Sequence, residues 1–266
     1  MVAPIKGTMR QHARVITFSL FTILLGAASA DAQNDQVVEL GVMFWKPSPE
    51  LTLSTDALVG AGVNEVDFVQ EFGIEDKFFP EFRAALGRNH KFRASFVTFS
   101  YDAETIITRT IVFQGRTLNI GAPATADIKW NLYKFGYEWD FVSRERGFFG
   151  LIADLKYNKV EASIDSPALT SAAATDVTAP VPTIGVIGRG YLAPAVSITG
   201  EFSGLNLSPG DDQLKFWDFD LYGTVTFGRN VGIQGGYRSV VADYIIDEDT
   251  GDLKMKGLYF GAVVRF

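Results

Sequence analysis

The sequence predicts an all-β protein: a single antiparallel barrel of about ten strands that crosses a membrane. Three observations predict it. After residue 36 the dominant hydropathy period is two, the repeat of a strand with unlike faces. The apolar faces carry large side chains over about 9–11 positions, the length a tilted strand needs to cross lipid. The connections alternate in length, with short turns at one rim and long loops at the other. A soluble sandwich would share the alternation. Its outward Trp, Phe and Leu faces would then form large exposed apolar patches, which argues against it.

Composition excludes several function classes. The 266 residues include no Cys, which removes disulfide scaffolds, thiolate metal sites and Cys nucleophiles. The formal charge is −7 with no basic run, which argues against a nucleic-acid surface. No segment after the first 32 residues holds 18 consecutive apolar residues. No metal site and no cofactor are expected.

The chain opens with Lys6, Arg10 and Arg14, then an apolar run from Val15 to Ala28, then Ala30-Asp31-Ala32. This is the order of a secretory signal peptide, and the apolar run is too short for a good membrane helix. Residues 1–32 are therefore read as a leader and 33–266 as one domain. Removal of 1–32 leaves 21 basic against 30 acidic residues, and a single histidine, His90.

Ten strands are read, at about 37–46, 78–88, 91–105, 126–141, 148–163, 183–193, 195–206, 214–228, 231–246 and 253–266. Eight or twelve are the alternatives. Short turns fall at Gly87–Lys91, Val142–Gly147, Leu192–Ala195 and Gly228–Val231. Val63–Lys77, acidic with an apolar set, is a cap on the barrel mouth, a docking segment for a partner, or an ordered extension of the second strand. Thr105–Ile120 extends a hairpin above the membrane. Ser166–Pro182, rich in Ala, Thr and Pro, is an outer loop. Two aromatic belts are expected. Phe92, Tyr137, Trp139, Phe141, Phe148 and Phe227 form one, and Trp45, Trp130 and Trp217 the other.

Two strands change phase midway. Ile128, Trp130 and Leu132 share one parity, and Phe135, Tyr137, Trp139 and Phe141 the other. Phe92, Ala94 and Phe96 similarly precede Phe99 and Tyr101. Lys134 or Arg93 facing lipid at mid-depth would cost roughly 2–4 kcal/mol, so bulges are expected near Leu132–Lys134 and Phe96–Thr98.

The last strand carries the sharpest motif. Leu258, Phe260, Ala262, Val264 and Phe266 alternate up to a terminal Phe. This ending resembles the C-terminal signature of bacterial outer-membrane β-barrels. The resemblance implies that the segment is read by the barrel-assembly machinery. It implies an address in the outer membrane of a Gram-negative-type cell, and outer-membrane lipids as surroundings. An even strand number then leaves both ends periplasmic, on the side of the short turns.

With these phases the inward set is charged: Glu39, Glu81, Arg83, Arg93, Lys129, Lys134, Glu138, Asp140, Asp154, Lys156, Asp218, Asp220, Arg238 and Arg265. A ten-strand barrel is barely wider than one that side chains fill, so opposite charges are expected to pair rather than line a channel. Antiparallel closure sets Glu39 opposite Arg265. Across the Gly228–Val231 turn Asp220 falls opposite or diagonal to Arg238, and across Asp247–Asp252 Gly261 falls opposite Arg238. The same residues could instead form a selectivity ring.

Barrels of this size include proteases, phospholipases and lipid A deacylases, which generally use a histidine base. His90 lies in the Arg88-Asn89-His90-Lys91 turn, at the periplasmic rim, and no Gly-x-Ser-x-Gly elbow occurs. Asp218 and Asp220, two apart on one face, are read as salt-bridged to Arg238 or Lys156 rather than as an acid/base pair. Asp247–Asp252 is read as a hairpin tip, since it lacks the Gly at position six and the distal Glu of a Ca²⁺ loop. No catalytic residue is assigned. The expected role is structural or surface-binding. A narrow channel for small solutes is the alternative, and an outer-leaflet hydrolase the third reading.

Overall fold

A computed structural model describes residues 37–54, 65–113, 116–169, 172–208, 210, 213–246 and 249–266. The predicted leader, residues 63 and 64, and the tip of the Asp247–Asp252 loop lie outside the described residues. Among those described, no helix is long and apolar enough to cross a membrane, which says nothing about a barrel.

The chain runs β1 (Val38–Ser54), β2 (Glu65–Asp67), α1 (Phe68–Phe72), β3 (Phe79–Gly87), β4 (His90–Ile106), β5 (Ile111–Phe113), β6 (Arg116–Leu118), β7 (Pro123–Arg144), β8 (Gly147–Asp165), β9 (Ala173–Ala193), β10 (Val196–Leu207), β11 (Gln213–Phe227), β12 (Val231–Ile246) and β13 (Asp249–Arg265). Ten of these strands form one antiparallel barrel, in the order β1-β3-β4-β7-β8-β9-β10-β11-β12-β13, and β13 closes onto β1. Each predicted strand has its counterpart, usually longer. β7 runs 22 residues, about twice what a tilted strand needs to cross lipid. The extra length carries β7 past the span that lipid requires.

The tight turns demand glycine where the backbone turns left. Gly87 has φ +125°, and a Cβ there would sit 1.9 Å from the His90 carbonyl oxygen. Gly228 opens the β11–β12 turn at φ +65°.

The outer face is apolar over a band next to the short turns. Phe44, Phe82, Phe135, Leu151, Phe219 and Phe260 are all exposed on it. Lys46, Lys129, Lys159, Lys215 and Lys256 lie just beyond the band on the long-loop side, none of them buried. A ring of cations just past an apolar band is the arrangement that suits headgroup phosphates at a lipid edge.

Several expectations are corrected here. Neither predicted bulge exists: β4 pairs with β7 in unbroken register from His90↔Trp139 to Ile106↔Pro123. The irregularity in β7 lies between Trp139 and Val142 instead. Ile128, Trp130 and Leu132 point inward on the same face as Lys134 and Glu138, while Lys129 is exposed on the outer face and is not a lumen residue. Trp45 and Trp130 are 0% and 1% exposed, so neither belongs to a lipid-facing belt. Phe148 also turns inward, under the Lys91 ammonium. Ala173–Pro182 is strand, not loop, paired with β8 up to Ala173↔Ile164. Thr105–Ile120 holds its own small hairpin, β5–β6, with Ile111, Phe113 and Leu118 fully buried. The glycine opposite Arg238 is Gly257, not Gly261.

Candidate functional site

The lumen is filled from the short-turn end upward by charged side chains. At the bottom, Lys91 binds Glu138 and Asp140, with its ammonium 4.1 Å from the Phe148 ring centre. At the seam, Arg265 Nε donates to Glu39 at 2.6 Å, and Glu39 lies opposite Arg265 in the register. Arg189 approaches the same Glu39 at 3.8 Å and donates to the hydroxyls of Thr199 and Tyr222.

The middle layer crosses the barrel. Arg93 on β4 binds Glu201 on β10, nearly the full width away, and lies 3.4 Å from Glu138. Above it, Arg83 on β3 donates to Asp220 on β11 at 2.9 Å and to Glu81 at 2.7 Å. Tyr259 donates its hydroxyl to Asp220 at 2.8 Å, and its ring lies 4.7 Å from the Arg83 guanidinium.

The top layer is centred on Arg238. It donates twice to Asp218, both at 3.0 Å, and also binds Glu81. Fork-on-carboxylate geometry of this kind is the strong form of an ion pair. Lys156 donates to the same Asp218 at 2.8 Å and to Ser203 at 2.7 Å. Asp220 faces Arg238 in the β11–β12 register, yet Arg238 turns to Asp218 and Glu81, and Arg83 takes Asp220. Asp154 makes no hydrogen bond through either carboxylate oxygen. It faces Gly136, where a Cβ would sit 1.9 Å from Asp154 Oδ1.

Above the charges the filling changes to aromatic rings. Trp45 lies 5.1 Å from the Arg238 guanidinium, and Phe216 lies 5.0 Å from the Lys156 ammonium. Phe99 packs edge-on against Trp45 and Phe79, and tilted against Trp130. The segment read as cap or strand extension supplies the lid. Asp67 caps α1 by accepting from the Val69 and Gln70 amides, and Gly73 ends it in the left-handed region. α1 thereby turns Phe68 and Phe72 down, and Phe68 meets Phe113 of the β5–β6 hairpin edge-on at 5.5 Å. Arg109 ties that hairpin segment to Glu71 of α1.

All ten residues expected in the charge network point inward, as do Lys134, Glu138 and Asp140. Sequence reading missed Lys91, Arg189, Glu201, Tyr222 and Tyr259. Parity could have found two of them: Glu201 alternates with outward Ile198, Gly200 and Phe202, and Arg189 stands between two glycines. Leu258, Phe260, Ala262, Val264 and Phe266 face outward; Leu258, Phe260 and Phe266 are strongly exposed. His90 sits exposed in its turn, hydrogen-bonded to the Tyr137 hydroxyl and stacked on Trp139. Among the described residues no group of three or more His, Cys, Asp or Glu could hold a metal ion. A cavity of about 120 Å³ enters the lumen from the short-turn end and stops below the Arg238 layer, with Met43, Ser95 and Lys134 at its inner end.

No family model matches the chain, and no curated protein matches it significantly. Solved structures do. The outer membrane protease OmpT from Escherichia coli superposes with a TM-score of 0.59 at 12% identity, over 86% of this chain and 97% of that one. Neisserial surface protein A covers 86% and 97% at 14% identity, with a TM-score of 0.36. An outer membrane channel from Pseudomonas putida F1 covers 87% and 96% at 9% identity, with a TM-score of 0.38. At 12% identity the likeness to the protease is one of fold, not of activity. The chain has the fold of the bacterial outer-membrane β-barrels.

Proposed function

We propose that residues 33–266 form a closed, non-conducting barrel of the Gram-negative outer membrane, with a structural or surface-binding role and no catalysis. The observation that carries this is the lumen's double seal. Arg93–Glu201 and Arg83–Asp220 span it from wall to wall, and the Trp45–Phe99–Trp130 cluster under α1 and β5–β6 closes it again above. A conducting barrel of this width would need a continuous water path past both.

Outer-membrane lipids would surround the apolar band, and the barrel-assembly machinery would read the alternation from Leu258 to Phe266. The non-catalytic part of the reading is supported by the placement of His90, on an exposed turn at the rim opposite the lid. With the short turns periplasmic, the lid and the long strands project outward, and contacts with other molecules would fall there.

Planar-bilayer recording of the refolded protein tests the reading. No stable conductance steps are expected from wild type. Reproducible steps would overturn the closed barrel and make the inward charges a selectivity filter.

A further inference from the structure

Independently of whether the lumen conducts, we propose that the cavity at the short-turn end is a binding site for a small oxyanion, a phosphate or carboxylate group, held by Lys134. The cavity of about 120 Å³ has room for about eight to twelve waters, enough for one such group with its hydration partly kept. Its wall carries Arg83, Arg88, Lys91, Arg93, Lys134, Arg189 and Arg265 against four carboxylates, Glu39, Glu138, Asp140 and Glu201. This cationic pit belongs to a chain with an overall acidic balance.

Most of those cations are already committed. Arg265 and Arg189 share Glu39, Lys91 holds Glu138 and Asp140, Arg93 holds Glu201, and Arg83 holds Glu81 and Asp220. Lys134 is the exception. It is 9% exposed, lines the cavity's inner end, and forms no ion pair or hydrogen bond among the described residues. Directly across β7–β8 from it stands Lys156, whose own ammonium is spent on Asp218 and Ser203. The Lys134 ammonium stands in the field of the Glu81, Glu201 and Asp218 carboxylates, yet it is buried without a direct hydrogen-bonded acceptor of its own. An oxyanion entering from the short-turn rim would supply it, with the neighbouring guanidinium of Arg93 within the same wall as a second donor.

The test titrates sodium phosphate into the refolded protein in detergent and reads the thermal unfolding midpoint against sodium chloride of equal ionic strength. Sodium acetate is the carboxylate arm. Wild type is expected to show a saturable rise with phosphate beyond that with chloride. Lys134→Gln should weaken the apparent affinity about tenfold or more, and Lys134→Arg should keep it. Equal protection by acetate would assign the site to carboxylates, and its absence to phosphates. Ser95 lies directly opposite Lys134 across β4–β7 and lines the same cavity. Ser95→Glu places a carboxylate in the site, so it should abolish the phosphate response even if Lys134→Gln fails to fold. A wild-type response no larger than that to chloride, or one that survives both Lys134→Gln and Ser95→Glu, overturns the proposal.

Discussion

The lower and upper halves of this barrel are built inside out with respect to one another. Next to the short turns, rings face outward and charges inward: Phe135, Tyr137 and Trp139 alternate with Lys134, Glu138 and Asp140 along β7. Seven or eight residues earlier on the same strand the sense is reversed. Ile128, Trp130 and Leu132 are buried in the lumen, while Asp127 and Lys129 face out. The strand does not change phase, because its pairing with β4 and β8 is continuous through this region. What changes is the solvent. In lipid the outer face must be apolar, so polar groups go inside; above the headgroups the outer face meets water, and the inside can be a core of the ordinary kind.

The comparison predicts different failures in the two halves. The largest effect should come where they meet. Arg238→Ala leaves Asp218 with Lys156 alone and Glu81 with Arg83 alone, and removes the guanidinium under Trp45. Breaking a buried pair by deleting one partner costs about 3–5 kcal/mol. Urea unfolding followed by tryptophan fluorescence should show that loss. The double variant Arg238→Met with Glu81→Met leaves the Lys156–Asp218 pair standing and should recover most of it. If the double variant falls as far as the single one, the lower half is not held by charge balance.

In the upper half the corresponding cut is Phe113→Ala, which empties the ring that Phe68 leans on. Large-to-small changes in a core cost about 3–5 kcal/mol, and the low end is expected here because α1 can settle into the space. The barrel below should stay folded. Limited proteolysis should therefore cut within residues 107–122 while the heat-resistant form persists on gels. Cooperative loss of the whole barrel would mean that lid and lumen form one unit.

Much of the lower half was legible in the sequence, and much of the upper half was misread, for one physical reason. Parity alone sorts residues into two faces; which face is inside depends on the surrounding medium. The reversal in β4 and β7 therefore looked like a one-residue bulge, and Trp45 and Trp130 looked like headgroup anchors. Register at the closing seam was readable, as with Glu39 and Arg265. It slipped by four residues between Arg238 and Gly257 because β12 and β13 pair as far as Ile246↔Asp249, a closer turn than the acidic loop suggests. Arg189 and Glu201 were missed although parity places both inward, because the glycines beside them soften the contrast between the two faces. The cavity could not be foreseen at all, since Lys134 stands out only once the other described cations of the lumen are seen to have direct partners.

A smaller effect is expected at the seam. Glu39 is 29% exposed by its side chain, so Glu39→Gln removes a partly hydrated contact with Arg265, worth about 1 kcal/mol. The barrel closes through β1–β13 with 16 paired positions from Glu39 to Ser54, and one weakened pair should not open it. A modest drop in the urea midpoint with unchanged heat resistance on gels fits. Failure of the barrel to close would place the seam's strength in that one ion pair.

The smallest effect lies above both fillings, where β12 and β13 set Asp243 directly opposite Asp252. Burial, and then the Asp252 charge, raise the Asp243 carboxyl above its ordinary 3.8, with Lys254 pulling the other way. A raised carboxyl favours the neutral form in the folded state. Its stabilising contribution is therefore present in acid and is lost as pH climbs from 3.8 through the raised value. Asp243→Asn removes the repulsion and should stabilise the protein above that window by a few tenths of a kcal/mol, the scale of a like-charge pair across strands. Below it, wild type and variant should coincide. Thermal midpoints at neutral pH and in acid make the check. A difference that persists unchanged in acid would show that the rim is governed by packing, as the core beneath it is, and not by charge.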